Sequence, residues 1–453
     1  MSSFSAKPAC FKAYDIRGRV PEELDTDLAY RVGLSTARYL AGKEFVVGRD
    51  CRLSSNELCA EVTRGLTDGG ANVLDIGQCG TEMVYYTTFA RKLDGGIMVT
   101  ASHNPMDHNG MKLVREEARP ISGDSGLDEI GVMAIDCDLV LDCPPGTVTT
   151  EDVLDPFVSH LLSLVDTSDI KPLKIVANAG NGCAGPAVAA LGKHLPCEII
   201  PVFEEPDGNF PNGIPNPLLP DNRAVTADRV RLEGADLGLA WDGDFDRCFF
   251  FDENGGFIEG YYLVGLLAEA SLAVHPGAKI LHDPRLIWNT INLVEKAGGI
   301  PVMNKTGHAF MKERMRLEDA VYGGEMSAHH YFREFAFCDS GMLPWLMILK
   351  EMSTKGRKLS ELVSARQKAY PASGEINRRL QNPNAVIDRI RKKYVPLAEG
   401  IDNTDGLSID MGNWRFNLRQ SNTEPVIRLN VESRGDPALM AEKTAEILAL
   451  MDA

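Results

Sequence analysis

The chain has 453 residues, which is too long for one hydrophobic core and suggests about three domains of roughly 150 residues each. With 64 acidic and 47 basic residues its net charge is −17, which excludes nucleic-acid and anionic-membrane binders, so an anionic ligand must meet a local positive cluster. The longest apolar run, Met342 to Leu349, contains Pro344 and is too short for a transmembrane helix. Sparse cysteines and the lack of a signal peptide predict a cytoplasmic protein.

A strand–helix–strand pattern occurs three times along the chain. Apolar strands begin at Glu44, Leu173 and Ala278, and each is followed by a turn, a helix of 3.6 periodicity and a second apolar strand. This pattern is typical of the βαβ unit of a parallel sheet. The sequence therefore predicts three related α/β domains.

Two of these helices carry local start signals. Ser54, with Glu57 three residues later, predicts a capping box at the start of the first helix. Asp283 and Pro284 are expected to supply the N-cap and first residue of the third.

Another apolar strand follows each unit and leads into a polar loop. These loops cover residues 100–105, 241–247 and 323–329. Ligands of open α/β sheets bind at the carboxyl ends of strands. Three equivalent strand ends with different polar loops therefore predict one composite site shared by the three domains.

The C-terminal stretch has a different pattern. Residues 414–419 and 426–431 alternate apolar and polar side chains, and Asp436-Pro437 begins a terminal helix, which predicts a smaller α+β module. The expected domains are residues 1–146, 147–252, 253–368 and 369–453.

The second polar loop has the composition of a metal site. Asp242, Asp244 and Asp246 alternate along the chain, Gly243 allows a bend, and Arg247 follows. Closely spaced carboxylates suit a hard cation, above all Mg²⁺. The competing interpretation is a solvated acidic turn, which the preceding apolar strand makes less favourable.

The first polar loop, Thr-Ala-Ser-His-Asn-Pro, presents Ser102 beside His103 at a strand end. The residue is a nucleophile, a phosphate carrier or a turn former. The Gly-x-Ser-x-Gly pattern of serine hydrolases is absent. With a magnesium loop in the same chain, phosphoryl transfer through the serine is the better hypothesis.

Two further loops suit a sugar phosphate. Glu325 and Ser327 are two residues apart, so both project the same way from an extended loop and match vicinal sugar hydroxyls. The loop from Arg419 to Pro425 offers a guanidinium, hydroxyls and backbone N–H groups, which favours a phosphate site. Ordinary polar turns are the alternative for both.

A rival hypothesis rests on residues 180–185. This segment follows a strand, opens a helix and matches Gly-x-Gly-x-x-Gly, with Glu205 about 20 residues later, as in dinucleotide sites. It would make the protein an NAD-dependent dehydrogenase. The same glycines also serve a tight turn and close helix packing, and the other loops favour phosphate and metal chemistry.

Taken together and in this order, the loops resemble those of the α-D-phosphohexomutase family, and most closely its bacterial phosphomannomutases and phosphoglucomutases. The resemblance runs from Lys12-Ala13-Tyr14-Asp15-Ile16-Arg17-Gly18 to Val431. It implies four domains around a central cleft: three related α/β domains with mixed sheets and a smaller C-terminal α+β domain. Arg285 stands where many relatives carry Lys, and Met326 differs from the Gln usual in phosphoglucosamine mutases.

The resemblance also implies a role for each site residue. The catalytic residues would be Ser102 as the phosphate carrier, with Arg247, Lys112, Arg17 and His103 around the transferring group. The metal ligands would be Ser102, as phosphoserine, and Asp242, Asp244 and Asp246. The substrate-binding residues would be Tyr14, Arg285, His308, Glu325, Ser327, His329, Arg419, Ser421, Asn422, Thr423 and Arg428.

The activity implied is the interconversion of mannose 6-phosphate and mannose 1-phosphate through a hexose 1,6-bisphosphate, with glucose phosphates as further substrates. The cofactor would be Mg²⁺, with glucose 1,6-bisphosphate or a similar compound as activator. A hexose phosphate is the expected partner, and we expect no nucleic acid, membrane or obligate protein partner. Mannose 1-phosphate normally feeds GDP-mannose synthesis.

Overall fold

The computed structural model describes residues 7–135, 143–380, 382–420 and 426–452. The chain forms two compact units: unit 1 is Met1–Phe257 with Tyr331–Lys355, and unit 2 is Ile258–His330 with Gly356–Ala453. No helix in the described ranges is both long enough and apolar enough to cross a membrane.

Unit 1 contains two α/β domains and a later segment. Its strands are β1 (Ile16–Arg19), β2 (Glu44–Arg49), β3 (Asn72–Gln78), β4 (Gly95–Val99), β5 (His108–Arg115), β6 (Arg119–Pro120), β7 (Val148–Thr150), β8 (Lys174–Asn178), β9 (Glu198–Val202), β10 (Leu237–Trp241), β11 (Cys248–Phe251) and β12 (Phe257–Ile258), which ends in unit 2. Its α-helices before residue 257 are α1 (Thr26–Leu40), α2 (Ser55–Asp68), α3 (Thr81–Ala90), α4 (Leu127–Ile135), α5 (Leu154–Leu164), α6 (Ala184–Gly192) and α7 (Ala224–Glu233).

Unit 2 contains the third α/β domain and the C-terminal domain. Its strands are β13 (Lys279–His282), β14 (Ile300–Met303), β15 (Tyr322–Gly324), β18 (Ile376–Arg379), β19 (Gly400–Asp402), β20 (Leu407–Asp410), β21 (Trp414–Gln420) and β22 (Val426–Ser433). Its α-helices are α8 (Gly260–Val274), α9 (Trp288–Lys296), α10 (His308–Glu318), α12 (Leu359–Ala369), α13 (Pro383–Tyr394) and α14 (Pro437–Asp452). The segment Tyr331–Lys355 belongs to unit 1. It contains most of β16 (His330–Phe332), which starts in unit 2 and pairs antiparallel with β17 (Cys338–Asp339), and then α11 (Leu343–Lys355).

The three predicted βαβ units are confirmed, and they share one strand order. In the first sheet β2 lies between β3 and β4, in the second β8 lies between β9 and β10, and in the third β13 lies between β14 and β15, all parallel. Each sheet also contains antiparallel pairs, such as β5 with β4 in the first sheet and β11 with β10 in the second. The sheets are therefore mixed, as expected, and the strands that precede the polar loops occupy equivalent positions.

The C-terminal domain is the predicted α+β module. Its sheet has the order β18-β22-β21-β20-β19 and pairs antiparallel throughout. Its core is one cluster that includes Trp414, Phe416 and Ile447. Asp436 accepts a hydrogen bond from the amide of Leu439 at 2.9 Å, which confirms the start of α14.

Both helix-start predictions were wrong in detail. Helix α2 begins at Ser55, but Ser54 makes no capping hydrogen bond and its Oγ accepts from the Asn109 amide at 2.9 Å. The third helix, α9, begins only at Trp288. Asp283 instead accepts the amide of Met326 at 2.8 Å. In both cases a polar side chain satisfies another segment of the chain rather than the helix end.

Two glycines let α1 and α2 cross in close contact. A Cβ on Gly33 would lie 2.2 Å from the carbonyl oxygen of Val62, and one on Gly65 would lie 2.0 Å from that of Tyr30. Both contacts are with backbone, which cannot swing aside as a side chain can. The first domain is therefore built around an interface that excludes any Cβ at these positions.

We expect Gly65→Ala to destabilise the protein by about 2 kcal/mol or more, because overpacking outweighs the usual gain of about 1 kcal/mol from replacing a helical glycine. Thermal denaturation should show a lower Tm. Gly400→Ala, whose new Cβ would have only Asp410 Cβ at 3.6 Å, is the control. An unchanged or raised Tm for Gly65→Ala would contradict this account of the interface.

Candidate functional site

Ser102 lies buried in the loop that follows β4, at the predicted position. Its φ of 49° is left-handed, a conformation that a non-glycine residue adopts at a cost. Its amide donates to Thr100 Oγ1 at 2.9 Å. The Ser102 hydroxyl donates to Asp242 Oδ2 at 2.7 Å. The structure thus brings the candidate nucleophile of the first domain against the candidate metal loop of the second.

Arg52, which the sequence analysis missed, holds this loop in place. Its guanidinium donates to four backbone carbonyl oxygens at 2.7–2.9 Å, those of Ser102, Asn104, Pro105 and His108. The side chain is only 1% exposed and pairs with Asp50 at 3.3 Å. The available signal was the position of Asp50 and Arg52 just after β2, at the same sheet edge as Ser102.

The three aspartates of the second loop form one buried cluster. Asp242, Asp244 and Asp246 each offer a carboxylate oxygen, and these atoms lie within 4.8 Å of one another. A Cβ on Gly243 would lie 2.5 Å from the carbonyl oxygen of Ser102. Glycine at this position is therefore what lets the aspartate loop approach the serine loop.

Two cations balance this buried negative charge. Lys112 Nζ donates to Asp244 Oδ2 at 2.7 Å and to Asp246 Oδ2 at 2.5 Å. Arg247 Nε donates to Asp242 Oδ2 at 2.8 Å. Burial alone would lower the pKa of both cations, but the carboxylates outweigh it and raise both values.

The aspartate cluster fits a divalent cation. Burial opposes the charge of Asp244, but Lys112 and Thr81 outweigh that effect and lower the pKa of this carboxyl. It is therefore ionised at neutral pH. Asp244 Oδ1 is buried and has no hydrogen-bond partner in the part of the chain that the structure describes, which is costly unless a ligand binds there. Oxygen-only donors of this kind are those that Mg²⁺ prefers.

The remaining predicted catalytic residues lie around Ser102. His103 Nδ1 is 3.0 Å from Ser102 Oγ and also contacts the guanidinium of Arg247. Arg17 donates to Asn104 Oδ1 at 2.8 Å and to Asp15 at 2.5 Å. Tyr14, a predicted substrate contact, is half-buried in the segment before β1. The fold thus brings His103, Arg247 and Arg17 to the serine loop, and their catalytic roles stay predictions.

The glycine-rich segment 180–185 is not arranged as a dinucleotide site. Its amides are already used: Asn181 donates to Phe203 O at 2.8 Å, Gly182 to Ala179 O at 2.8 Å and Cys183 to Gly243 O at 2.9 Å. A pyrophosphate needs these N–H groups free. A Cβ on Gly182 would lie 2.8 Å from Gly243 O, so the segment packs behind the aspartate loop.

Unit 2 brings together the predicted sugar-recognition residues. Arg285 donates to Asp283 at 2.8 Å and to Ser327 Oγ at 3.3 Å, and its guanidinium lies 3.8 Å from Glu325. Glu325 Oε1 accepts the amide of Gly307 at 3.0 Å. The neighbouring predicted residues are His308, which begins α10, and His329, whose carbonyl accepts the Glu325 amide at 2.9 Å.

The predicted phosphate site of unit 2 is described in part. Arg419 and Arg428 face each other across β21 and β22. Ser421, Asn422 and Thr423 lie outside the described residues. Glu375, which the sequence analysis did not identify, lies 3.7 Å from each of these arginines and 3.3 Å from Arg285. A single carboxylate therefore joins the phosphate candidates to the sugar candidates.

We expect NAD⁺ and NADP⁺ to show no saturable binding in calorimetric titrations of the wild-type protein, because the amides of segment 180–185 are occupied. Gly182→Ala should instead weaken Mg²⁺ binding, because the new Cβ would clash with the backbone of Gly243 and displace the aspartate loop. Gly192→Ala is the control, since its Cβ would meet only the flexible side chain of Ile199. Saturable NAD⁺ binding that Gly182→Ala abolishes would restore the dinucleotide hypothesis.

Comparison with known families gives four consecutive matches. They are to the phosphoglucomutase/phosphomannomutase alpha/beta/alpha domains I, II and III, over residues 8–131, 155–256 and 259–370, and to the C-terminal domain, over residues 375–450. The four-domain organisation expected from the sequence is thereby confirmed.

Individual relatives agree with these matches. The chain is 57% identical to a phosphomannomutase of Salmonella montevideo, covering 98% of this chain and 99% of that protein. It is 58% identical to a Xanthomonas campestris protein described as phosphohexose mutases, covering 97% and 98%. The crystal structure of a phosphoglucomutase/phosphomannomutase family protein from Burkholderia thailandensis superposes with a TM-score of 0.87 at 31% identity, covering 98% and 97% of the two chains. Together with the loops described above, these similarities show that the chain belongs to the phosphoglucomutase/phosphomannomutase family.

Proposed function

We propose that this protein is a phosphomannomutase that interconverts mannose 6-phosphate and mannose 1-phosphate through a phosphorylated serine and a hexose 1,6-bisphosphate. The observation that carries this proposal is the 2.7 Å contact between Ser102 Oγ and Asp242, within a cluster of three buried carboxylates. A hydroxyl beside a hard-cation site is the arrangement that phosphoryl transfer requires. The relatives named above support mannose phosphate as the substrate.

In the proposed reaction the phosphoryl group moves from Ser102 to the free hydroxyl of the hexose phosphate. The bond between phosphorus and Oγ breaks and a bond to the sugar oxygen forms, while the sugar hydroxyl gives up its proton to a base and the released Oγ takes up a proton. The bisphosphate then turns around and returns its other phosphoryl group to Oγ. His103 Nδ1, 3.0 Å from Oγ, is the group placed to accept the serine proton in that second transfer, since Asp242 is assigned to the metal.

The surrounding charges suit the transferring group. Arg247 Nη2 lies 3.2 Å from Ser102 Oγ, so its positive charge offsets the charge that develops on the phosphoryl oxygens. We assign the same electrostatic role to Lys112 and Arg17. Asp242, Asp244 and Asp246, with the phosphate on Ser102, would hold Mg²⁺, which when bound acts as a Lewis acid towards the phosphoryl oxygens.

The residues of unit 2 would recognise the rest of the substrate. We assign Glu325 and Ser327 to the 3- and 4-hydroxyls of the sugar, with Arg285, His308, His329 and Tyr14 as further substrate contacts. Arg419, Ser421, Asn422, Thr423 and Arg428 would hold the phosphate that is not reacting. Donors of this kind accept a phosphate in either orientation of the bisphosphate, as the mechanism demands.

Glucose phosphates are proposed as additional substrates. Mannose and glucose differ at C2, whereas Glu325 and Ser327 are assigned to hydroxyls that both sugars share.

We also propose glucose 1,6-bisphosphate as activator, domain bounds at residues 1–146, 147–252, 253–368 and 369–453, and a cytoplasmic location. The nine cysteines of the described residues are free thiols, which supports a reducing compartment.

A side-by-side assay tests the proposed function. Mannose 1-phosphate and glucose 1-phosphate are each supplied with Mg²⁺ and a trace of glucose 1,6-bisphosphate, and formation of the 6-phosphates is measured. Turnover of both sugars is the expected result. Conversion of neither sugar phosphate would refute the assignment, and conversion of mannose 1-phosphate alone would refute the proposed dual activity.

We expect Ser102→Ala to lower mutase activity by several orders of magnitude, because the phosphate carrier is lost. Intact-mass spectrometry should find one phosphate on the wild type and none on this variant. Ser168→Ala is the control, since Ser168 is exposed and bonds only locally to Asp166. An alanine variant that keeps full activity would exclude a phosphoserine at this position.

Asp244→Asn should raise the Mg²⁺ concentration needed for half-maximal activity by at least about tenfold, since the neutral amide removes a charged ligand. Activity measured over a Mg²⁺ titration gives this value. Asp228→Asn removes an equal charge from an exposed ion pair with Arg231 and should change nothing. An unaltered Mg²⁺ requirement for Asp244→Asn would place the metal elsewhere.

A further inference from the structure

Three arginines of unit 2 converge on one carboxylate. Glu375 Oε2 lies 3.3 Å from Arg285 Nη1 and 3.7 Å from Arg419 Nη2, and its Oε1 lies 3.7 Å from Arg428 Nη1. The Glu375 side chain is 21% exposed. Within the part of the chain that the structure describes, Glu375 is the carboxylate that forms ion pairs with all three arginines.

The backbone forces two of these cations together. Arg419 on β21 pairs directly with Arg428 on β22 in the antiparallel register, and like charges in that arrangement repel. Glu375 immediately precedes β18, whose residue Asn377 pairs with Arg428 on its other side. The carboxylate is therefore fixed by the sheet beside the two arginines that need a counter-charge.

The three guanidinium groups retain hydrogen-bonding capacity. The Nε atoms of Arg285, Arg419 and Arg428 are buried and have no hydrogen-bond partner among the described residues. Unmet buried donors are costly, and guanidinium donors in a cluster favour a phosphate. The carboxylate of Glu375 engages Nη atoms, so these Nε–H groups remain for a second anion.

Counting formal charges shows that carboxylates outnumber arginines at this site before any phosphate binds. The three arginines are paired with four carboxylates: Asp283 and Glu325 on Arg285, Asp405 on Arg419, and Glu375 on all three. A phosphate dianion that binds here adds to an excess of negative charge. Its affinity must therefore be lower than three arginines alone would give.

We propose that Glu375 competes with the substrate phosphate for Arg285, Arg419 and Arg428. It thereby lowers the affinity of the three arginines for the phosphate, so that the bisphosphate intermediate can be released from them and reorient. This proposal rests on the proposed function, because only a reaction that exchanges the two phosphates between sites needs such release. Glu375 acts through the arginines and is a positioning residue rather than a catalytic one.

The proposal predicts a split between binding and turnover. Removing the charge with Glu375→Gln leaves the cations without their shared competitor, so phosphate binds more tightly and leaves more slowly. We expect the KM for mannose 1-phosphate and the Kd for inorganic phosphate each to fall by roughly tenfold. We expect kcat to fall as well, because release of the phosphate becomes limiting. A purely structural role predicts the opposite change in KM.

The experiment compares four full-length proteins by calorimetric titration with inorganic phosphate and by steady-state kinetics. These are the wild type, Glu375→Gln, Glu375→Asp, which keeps the charge, and Glu399→Gln, which removes an exposed carboxylate from the same unit. The Glu399 variant should resemble the wild type, and the aspartate variant, which keeps the charge on a shorter side chain, should fall between the wild type and Glu375→Gln. If Glu375→Gln does not fold, as judged by circular dichroism, Glu375→Ala replaces it.

Weaker or unchanged phosphate binding in the neutral Glu375 variant would overturn the proposal, as would a KM that rises. Tighter binding with a lower kcat would support it. The phosphate titration does not depend on turnover. A wild type that converts neither sugar phosphate would therefore refute the proposed function, while the titration would still decide what Glu375 does to the arginines.

Discussion

The site in unit 1 depends on the burial of three carboxylates in one loop. Asp242, Asp244 and Asp246 are at most 1% exposed, and uncompensated charges at such depth would unfold the domain. The chain offsets this charge with Lys112 on β5, in the sheet of the first domain, and with Arg247 immediately after the loop. The position of Ser102 follows from the same arrangement, because its hydroxyl completes the shell around Asp242.

The regular part of the fold was predictable from the sequence. Apolar strands and periodic helices gave the three βαβ units, and the rule that ligands bind at strand ends placed Ser102, Asp242 and Glu325 correctly on three equivalent loops. These predictions succeeded because they depend on short-range periodicity and on a general property of parallel sheets. Short-range patterns were therefore enough to predict where each loop lies relative to the strand that precedes it.

Contacts between distant segments were not predictable. Ser54 and Asp283 have the local signature of helix caps, yet each bonds to another part of the chain. Arg52 holds the Ser102 loop from 50 residues away, and Glu375 lies 90 residues from Arg285. No periodicity encodes such partners, since a single side chain from another segment satisfies them. Departures from local rules therefore concentrate where the site is assembled.

Lys112 in unit 1 and Glu375 in unit 2 share one physical property. Each is an internal counter-ion to side chains of opposite charge, so neither site carries a large unbalanced charge when it is empty. Neither bound magnesium nor bound phosphate is therefore required to offset buried charge while the chain folds. Because little net charge must be screened at either site, these two sites should contribute little to the dependence of the stability of the ligand-free protein on ionic strength.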